Sequence, residues 1–114
     1  MACILFVEDE AQLRTLIGDT LVELGHEVQV AADAPEAVAL LQQSAYDVVI
    51  SDVTMPGGVS GIELAELVLA NHPATRVILV SGHARMQLPP IPATVEFLPK
   101  PYRISQLLAF LPEQ

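Results

Sequence analysis

Three unbroken apolar runs, Cys3–Val7, Val48–Ile50 and Val77–Val80, are each followed at once by polar or turn-forming residues. Runs of this length without alternation mark strands buried on both faces. Glu27–Ala32 alternates in its first half and reads as a strand nearer a sheet edge. Thr94–Leu98 reads as a last strand, closed by Pro99-Lys100-Pro101. Between the strands the apolar period lengthens to that of a helix. Leu13, Leu16, Ile17, Leu21 and Leu24 form one stripe, stopped by Gly25. Ala37, Leu40 and Leu41 form a second, and Ala65, Val68 and Leu69 a third. Ile104, Leu107, Leu108 and Leu111 form the last.

Start signals precede three of these stripes. Asp33 with Glu36 and Ser60 with Glu63 have capping-box spacing, and Pro35 sits in a first helical turn. Asp9 and Gln12 have the same spacing, so Asp9 can serve as a plain cap. Asn71-His72-Pro73 ends the third helix, because the residue before proline avoids the α region. Five strands alternating with helices require a parallel sheet with helices on both faces. The exception is residues 83–93, where Pro89, Pro90 and Pro92 limit any helix to a turn or two.

Length and composition narrow the picture. The 114 residues, 52% of them hydrophobic and 4% aromatic, make one domain with an aliphatic core. Fourteen acidic against five basic residues give a net charge of −9, which argues against binding a nucleic-acid backbone. Cations and positively charged protein surfaces remain as partners. The single cysteine, Cys3, reads as a small core residue of a reducing compartment. With no signal-peptide pattern and no apolar run near the ~20 residues of a membrane span, the expected location is the cytoplasm.

The polar residues at strand ends carry the candidate chemistry. Glu8 and Asp9 follow the first strand, Asp52 ends the third, Ser81 ends the fourth, and Lys100 lies just past the fifth. In a parallel sheet these ends point the same way, and ligands bind in the crevice beyond them. Three converging carboxylates raise one another's pKa. A hard divalent cation such as Mg²⁺ removes that conflict and favours a phosphoryl group beside it. Each residue also has a plainer explanation: Asp9 as a cap, Glu8 as a solvated charge, Asp52 as a turn former before Pro56-Gly57-Gly58, Lys100 as a surface residue. Only their joint occurrence points to a site.

With these residues in place, the chain resembles the receiver domains of bacterial two-component response regulators over its whole length. The resemblance rests on Val7-Glu8-Asp9-Glu10, on Ser51-Asp52-Val53-Thr54-Met55-Pro56 with Gly61, on Val80-Ser81-Gly82, and on Phe97-Leu98-Pro99-Lys100-Pro101-Tyr102. It implies a flavodoxin-like doubly wound sheet of order 2-1-3-4-5. It implies that Asp52 accepts a phosphoryl group from a sensor histidine kinase or a histidine phosphotransfer protein. Mg²⁺ would be held by Asp9 directly, by Glu8 through water, by Asp52, and by the Thr54 backbone carbonyl. Lys100 would pair with the phosphoryl oxygens, and its bond to Pro101 would be cis. Ser81 and Phe97 would form the switch, Gly82 would leave room for the donor, and Thr54 and His83 would tune the phosphate lifetime.

Glu8 stands where Asp is commoner, four residues rather than three separate Pro56 from Gly61, and the fourth helix should be shortened or missing. Residues 1–114 are therefore read as a receiver in a two-component phosphorelay that phosphorylates and dephosphorylates itself without being a turnover enzyme. The chain stops at Gln114, just past the last helix, so signalling is expected through an unknown downstream protein, with no nucleic acid or membrane involved. An excised receiver from a longer kinase or regulator is one alternative, and a non-phosphorylated pseudo-receiver acting as an interaction module is another. An aspartyl phosphohydrolase is disfavoured because Thr54 stands where such enzymes carry a second Asp. A flavin module is disfavoured by the acidic loop after the first strand.

Overall fold

Five strands pair in parallel into one sheet of order β2-β1-β3-β4-β5: β1 (Cys3–Val7), β2 (Glu27–Ala31), β3 (Val48–Asp52), β4 (Arg76–Ser81) and β5 (Glu96–Pro99). The computed structural model describes residues 1–55 and 59–111. Pro56-Gly57-Gly58 and Gln114, both used in the sequence reading, lie outside them. β3 is the central strand and is buried along its whole length. Each Val or Ile buried there contributes about 1.5–3 kcal/mol over an exposed one. The alternating β2 is an edge strand, as its pattern predicts.

Strand alternation splits the core in two. Leu5, Val7, Val49, Val77 and Leu79 face α2 (Ala34–Gln43) and α3 (Gly61–Asn71), with Ala37, Leu41, Leu64 and Val68 packed on them. Ile4, Phe6, Ile50, Ile78, Val80 and Leu98 face α1 (Ala11–Glu23) and α4 (Ile104–Leu108), which contribute Leu21 and Leu107.

Local signals explain most boundaries. α1 ends in a Schellman arrangement: Gly25 takes φ 96°, its N–H donates to Val22 O, and His26 N donates to Leu21 O. Ser60 and Glu63 cap α3 reciprocally. At α2, Asp33 Oδ1 accepts from Glu36 N, but the Glu36 carboxylate turns back one residue further, accepting from Ala32 N at 2.6 Å.

Four expectations need correction. Asp9 is not a cap: Glu10 occupies that position, without a side-chain hydrogen bond. Leu16 and Leu24 are 62% and 46% exposed, because Gly18 rather than a leucine fills the tight contact with β2. A Cβ on Gly18 would already meet Val30 Cγ1 at 3.3 Å. Cys3 is only half-buried and donates its Sγ hydrogen to Glu27 Oε2 at 3.4 Å. The last strand begins at Glu96, since Val95 N–H closes a turn onto Pro92 O.

The proline-rich segment forms a single 3-10 turn, Arg85–Gln87, in place of a helix. Leu88 and Ile91 anchor it by packing, with Phe97, against the α2–α3 side of the core.

Candidate functional site

Glu8, Asp52 and Lys100 each stand two residues beyond a side chain of the α1–α4 core: Phe6, Ile50 and Leu98. Because side chains two apart along a strand share a face, the three charged groups continue that core layer past the sheet's edge. Backbone ladders extend past the strands to hold them there. Glu8 N donates to Ala31 O, Val53 N to Val80 O, and Lys100 N to Ser81 O at 2.7 Å. The Lys100–Pro101 bond is cis.

The result is a buried ion cluster. Lys100 Nζ lies 2.6 Å from Asp52 Oδ1 and 3.2 Å from Glu8 Oε1. Glu8 and Asp52 are 1% and 4% exposed, so these contacts are shielded from water. The second oxygen of Glu8 accepts from Glu10 N–H, while Arg14 donates to the Glu8 backbone carbonyl. Asp52 Oδ2 is buried and has no hydrogen-bond partner among the described residues.

Two carboxylates sharing one ammonium leave a net negative charge out of water. Burial first, and then the neighbouring Glu8, push Asp52 up to about 8 against the opposing pull of Lys100. Burial acts on Glu8 in the same direction. It is outweighed by the adjacent Asp52 carboxyl, the Glu10 N–H and Lys100, which together hold Glu8 below the usual carboxylate range. Burial alone would lower Lys100, but its two carboxylate partners raise it.

Asp9 completes the arrangement from the solvent side, being exposed. One oxygen each from Glu8, Asp9 and Asp52 lie within 4.8 Å of one another. Hard oxygen donors this close, one of them buried and unpartnered, fit a Mg²⁺-like cation, which binds through a few carboxylates and keeps several waters. A cavity of about 130 Å³ opens here, lined by Asp9, Asp52, Thr54, Ser81, Gly82, His83 and Lys100. Glu8 is not in its lining but behind it.

Ser81 is buried, and its Oγ accepts from His83 N at 2.9 Å. Gly82 is open, since a Cβ there would meet nothing within 4 Å. Thr54 and His83 are exposed at the rim. Phe97 is not in the cavity: it stands beside Leu79 in the ladder and is half-buried on the α2–α3 face.

The structure thus gathers Glu8, Asp9, Asp52, Thr54, Ser81, His83 and Lys100, and sets Phe97 behind them. It adds supports that spacing did not reveal: Glu10 N–H and Arg14 on Glu8, and Gly61 beneath Asp52. Gly61 N donates to Val53 O at 2.7 Å, and its Cα faces the Asp52 carbonyl without room for a side chain. Tyr102, conspicuous in sequence only as part of a motif, packs against the α1–α4 core beside Lys100.

A doubly wound parallel sheet with an acidic pocket and a lysine at its carboxyl edge defines a CheY-like signalling domain. The family model described as "Response regulator receiver domain" matches residues 4–111, and the chain belongs to that family. The chain is 34% identical over 110 residues to the response regulator protein FleR of Pseudomonas aeruginosa, covering 94% of this chain and 23% of FleR. The chain therefore spans about a quarter of that relative's length. TrrA of Thermotoga maritima, solved in complex with Mg²⁺-BeF, superposes with a TM-score of 0.85 at 29% identity, covering 96% of this chain and 95% of TrrA. TrrA in complex with the histidine kinase ThkA gives a TM-score of 0.83 at 29% identity, covering 96% of this chain and 94% of that one. The sheet order 2-1-3-4-5 implied by the resemblance agrees with the structure. No helix among the described residues is long and apolar enough to cross a membrane.

Proposed function

We propose that this receiver domain, residues 1–114, accepts a phosphoryl group on Asp52 from a phosphohistidine of a kinase or phosphotransfer protein. The observation that carries this reading is Asp52 itself. It is buried, with one oxygen on Lys100 at 2.6 Å and the other unpartnered, and it faces a small cavity with an open approach at Gly82. A bound Mg²⁺ would neutralise charge on the carboxylates and on the transferred group. Asp9 and Asp52 would hold it directly, and the Thr54 carbonyl would complete its protein ligands. Glu8, behind the cavity with both oxygens engaged, is suited to act through a water molecule.

In the transfer, a carboxylate oxygen of Asp52 bonds to phosphorus as the phosphorus–nitrogen bond to the donor imidazole breaks. The histidine, with a proton on its other ring nitrogen, takes the bonding pair and leaves as the neutral imidazole. Lys100 follows the new negative charge from the carboxylate to the phosphoryl oxygens. Ser81 exchanges its hydrogen bond from His83 N for one to the phosphoryl group. Phe97, packed with Leu88 and Ile91, then repacks on the α2–α3 face. Thr54 and His83, exposed at the cavity rim, would govern the entry of water to the acyl phosphate and so tune its lifetime. The domain is consumed and regenerated by this cycle and turns over no other substrate. Its output runs through a downstream protein that distinguishes the two states.

The reading is tested by incubation with a small acyl phosphate and Mg²⁺, followed by intact-mass measurement. One added phosphoryl mass, absent in Asp52→Asn and without Mg²⁺, is expected. An unmodified wild type would identify a pseudo-receiver instead.

A further inference from the structure

Tyr102 carries a polar atom that the cycle described above leaves unused. Its ring packs against the α1–α4 core, where phenylalanine would fill the same space. Its hydroxyl is buried without a hydrogen-bond partner, the one side-chain donor so placed among the described residues. A buried unpaired hydroxyl is a net cost to the folded state, so its presence needs an explanation.

Three facts place that hydroxyl in relation to the ion cluster. Tyr102 packs against the core layer that holds Leu98, Phe6 and Ile50, the layer that continues into Glu8 and Asp52. Tyr102 and Lys100 line one groove of about 300 Å³ with Glu10, Leu13, Ile17 and Pro101. The phenol also feels the cluster's charge: burial and then Glu8 push its proton affinity up to about 12, with Lys100 opposing.

Phosphorylation creates the need for a donor here. In this structure Glu8 Oε1 is held by Lys100 and Oε2 by Glu10 N–H. When Lys100 turns to the phosphoryl oxygens, Oε1 loses its charged partner and keeps at most a metal-bound water, while Glu8 stays buried at 1% exposure. An ionised carboxylate so deprived is strongly disfavoured.

We propose that Tyr102 is a positioning residue whose hydroxyl donates to the Glu8 carboxylate, directly or through one buried water, once Lys100 leaves it. The hydroxyl is unpaired in the resting state and paired in the phosphorylated one, which biases the domain toward holding the phosphoryl group. This rests on Asp52 being the phosphoacceptor.

The test uses Mg²⁺ with beryllofluoride as the phosphoryl mimic, on the full chain. The sequence has no tryptophan and two tyrosines, so Tyr46→Phe leaves Tyr102 as the sole tyrosine emitter. Adding Mg²⁺ and beryllofluoride should quench that emission, as hydrogen bonding of a phenol to a carboxylate does. Tyr102→Phe should weaken apparent affinity for the mimic about tenfold, the low end of what groups orienting metal ligands contribute. Its resting thermal midpoint should be unchanged or raised, because the unpaired hydroxyl is gone. Unchanged emission, or Tyr102→Phe binding within twofold of the wild type, overturns the proposal. A wild type that binds no beryllofluoride, detected by ¹⁹F resonance, would place the fault in the phosphoacceptor reading itself.

Discussion

Gly61 sits with its Cα against the backbone carbonyl of Asp52, so close that a Cβ would lie 2.8 Å from the carbonyl carbon and overlap its oxygen. The first residue of α3 thus sets the height at which the Asp52 carboxylate stands in the pocket. Ser60 and Glu63 fix that helix start by reciprocal capping, so the contact cannot slide. Gly61→Ala should cost about 1–3 kcal/mol, the usual penalty for forcing a methyl group into a packed site. It should also slow phosphorylation by an acyl phosphate, because Asp52 must shift. Urea unfolding and phosphorylation kinetics check both; an alanine variant as stable and as fast as the wild type refutes the contact.

Asp52 makes the metal-free protein sensitive to pH in an unusual direction. Its carboxyl rises from an ordinary 3.8 to about 8 in the fold. Between those values the folded chain keeps a proton that the unfolded chain releases. Rising pH therefore favours unfolding across that window, and the effect levels off above it. Asp52→Asn removes the ionisable group. Its stability advantage over the wild type should grow from pH 5 to pH 8, reaching roughly 1–3 kcal/mol. Saturating Mg²⁺ should shrink that advantage. Chemical denaturation of both proteins at several pH values measures it, and a difference independent of pH contradicts the shared-charge picture.

In the proposed cycle Lys100 would compete with the cation as well as serve the phosphoryl group. Its ammonium occupies Asp52 Oδ1 and lies 3.2 Å from Glu8. Lys100→Met should bind Mg²⁺ roughly tenfold more tightly, a modest part of the several kcal/mol two charges exert at such distances inside a protein. The same variant should lose phosphoryl uptake or signalling. Weaker Mg²⁺ binding by calorimetry would show that Lys100 organises the metal site rather than competing with it.

The segment replacing a fourth helix should report the switch. Ser81 and Phe97 bracket it, and Leu88 and Ile91 tie it to Phe97. Amide shift changes on adding Mg²⁺ and beryllofluoride should concentrate in residues 81–98, beyond the pocket lining. Before activation the same segment should show μs–ms exchange. Shifts confined to residues around Asp52 would mean that the signal leaves by another face.

The sequence by itself determined the alternation of strands and helices, because each depends on side-chain periods of two and 3.6 that are local properties of the chain. It also determined that Glu8, Asp52, Ser81 and Lys100 stand at or just past the carboxyl ends of strands, since each closely follows an apolar run. The helix stripe of α1 was legible only in part. Leu16 and Leu24 match the period but lie outside, because close approach of Gly18 to Val30 rotates α1 toward β2. Only the tertiary structure decided that one lysine serves two carboxylates, Lys100 meeting Glu8 across 92 residues of chain. It alone left Asp52 Oδ2 and the Tyr102 hydroxyl buried without partners among the described residues. Those outcomes depend on strand order and on which donors run out once the sheet closes, and no short-range pattern encodes either.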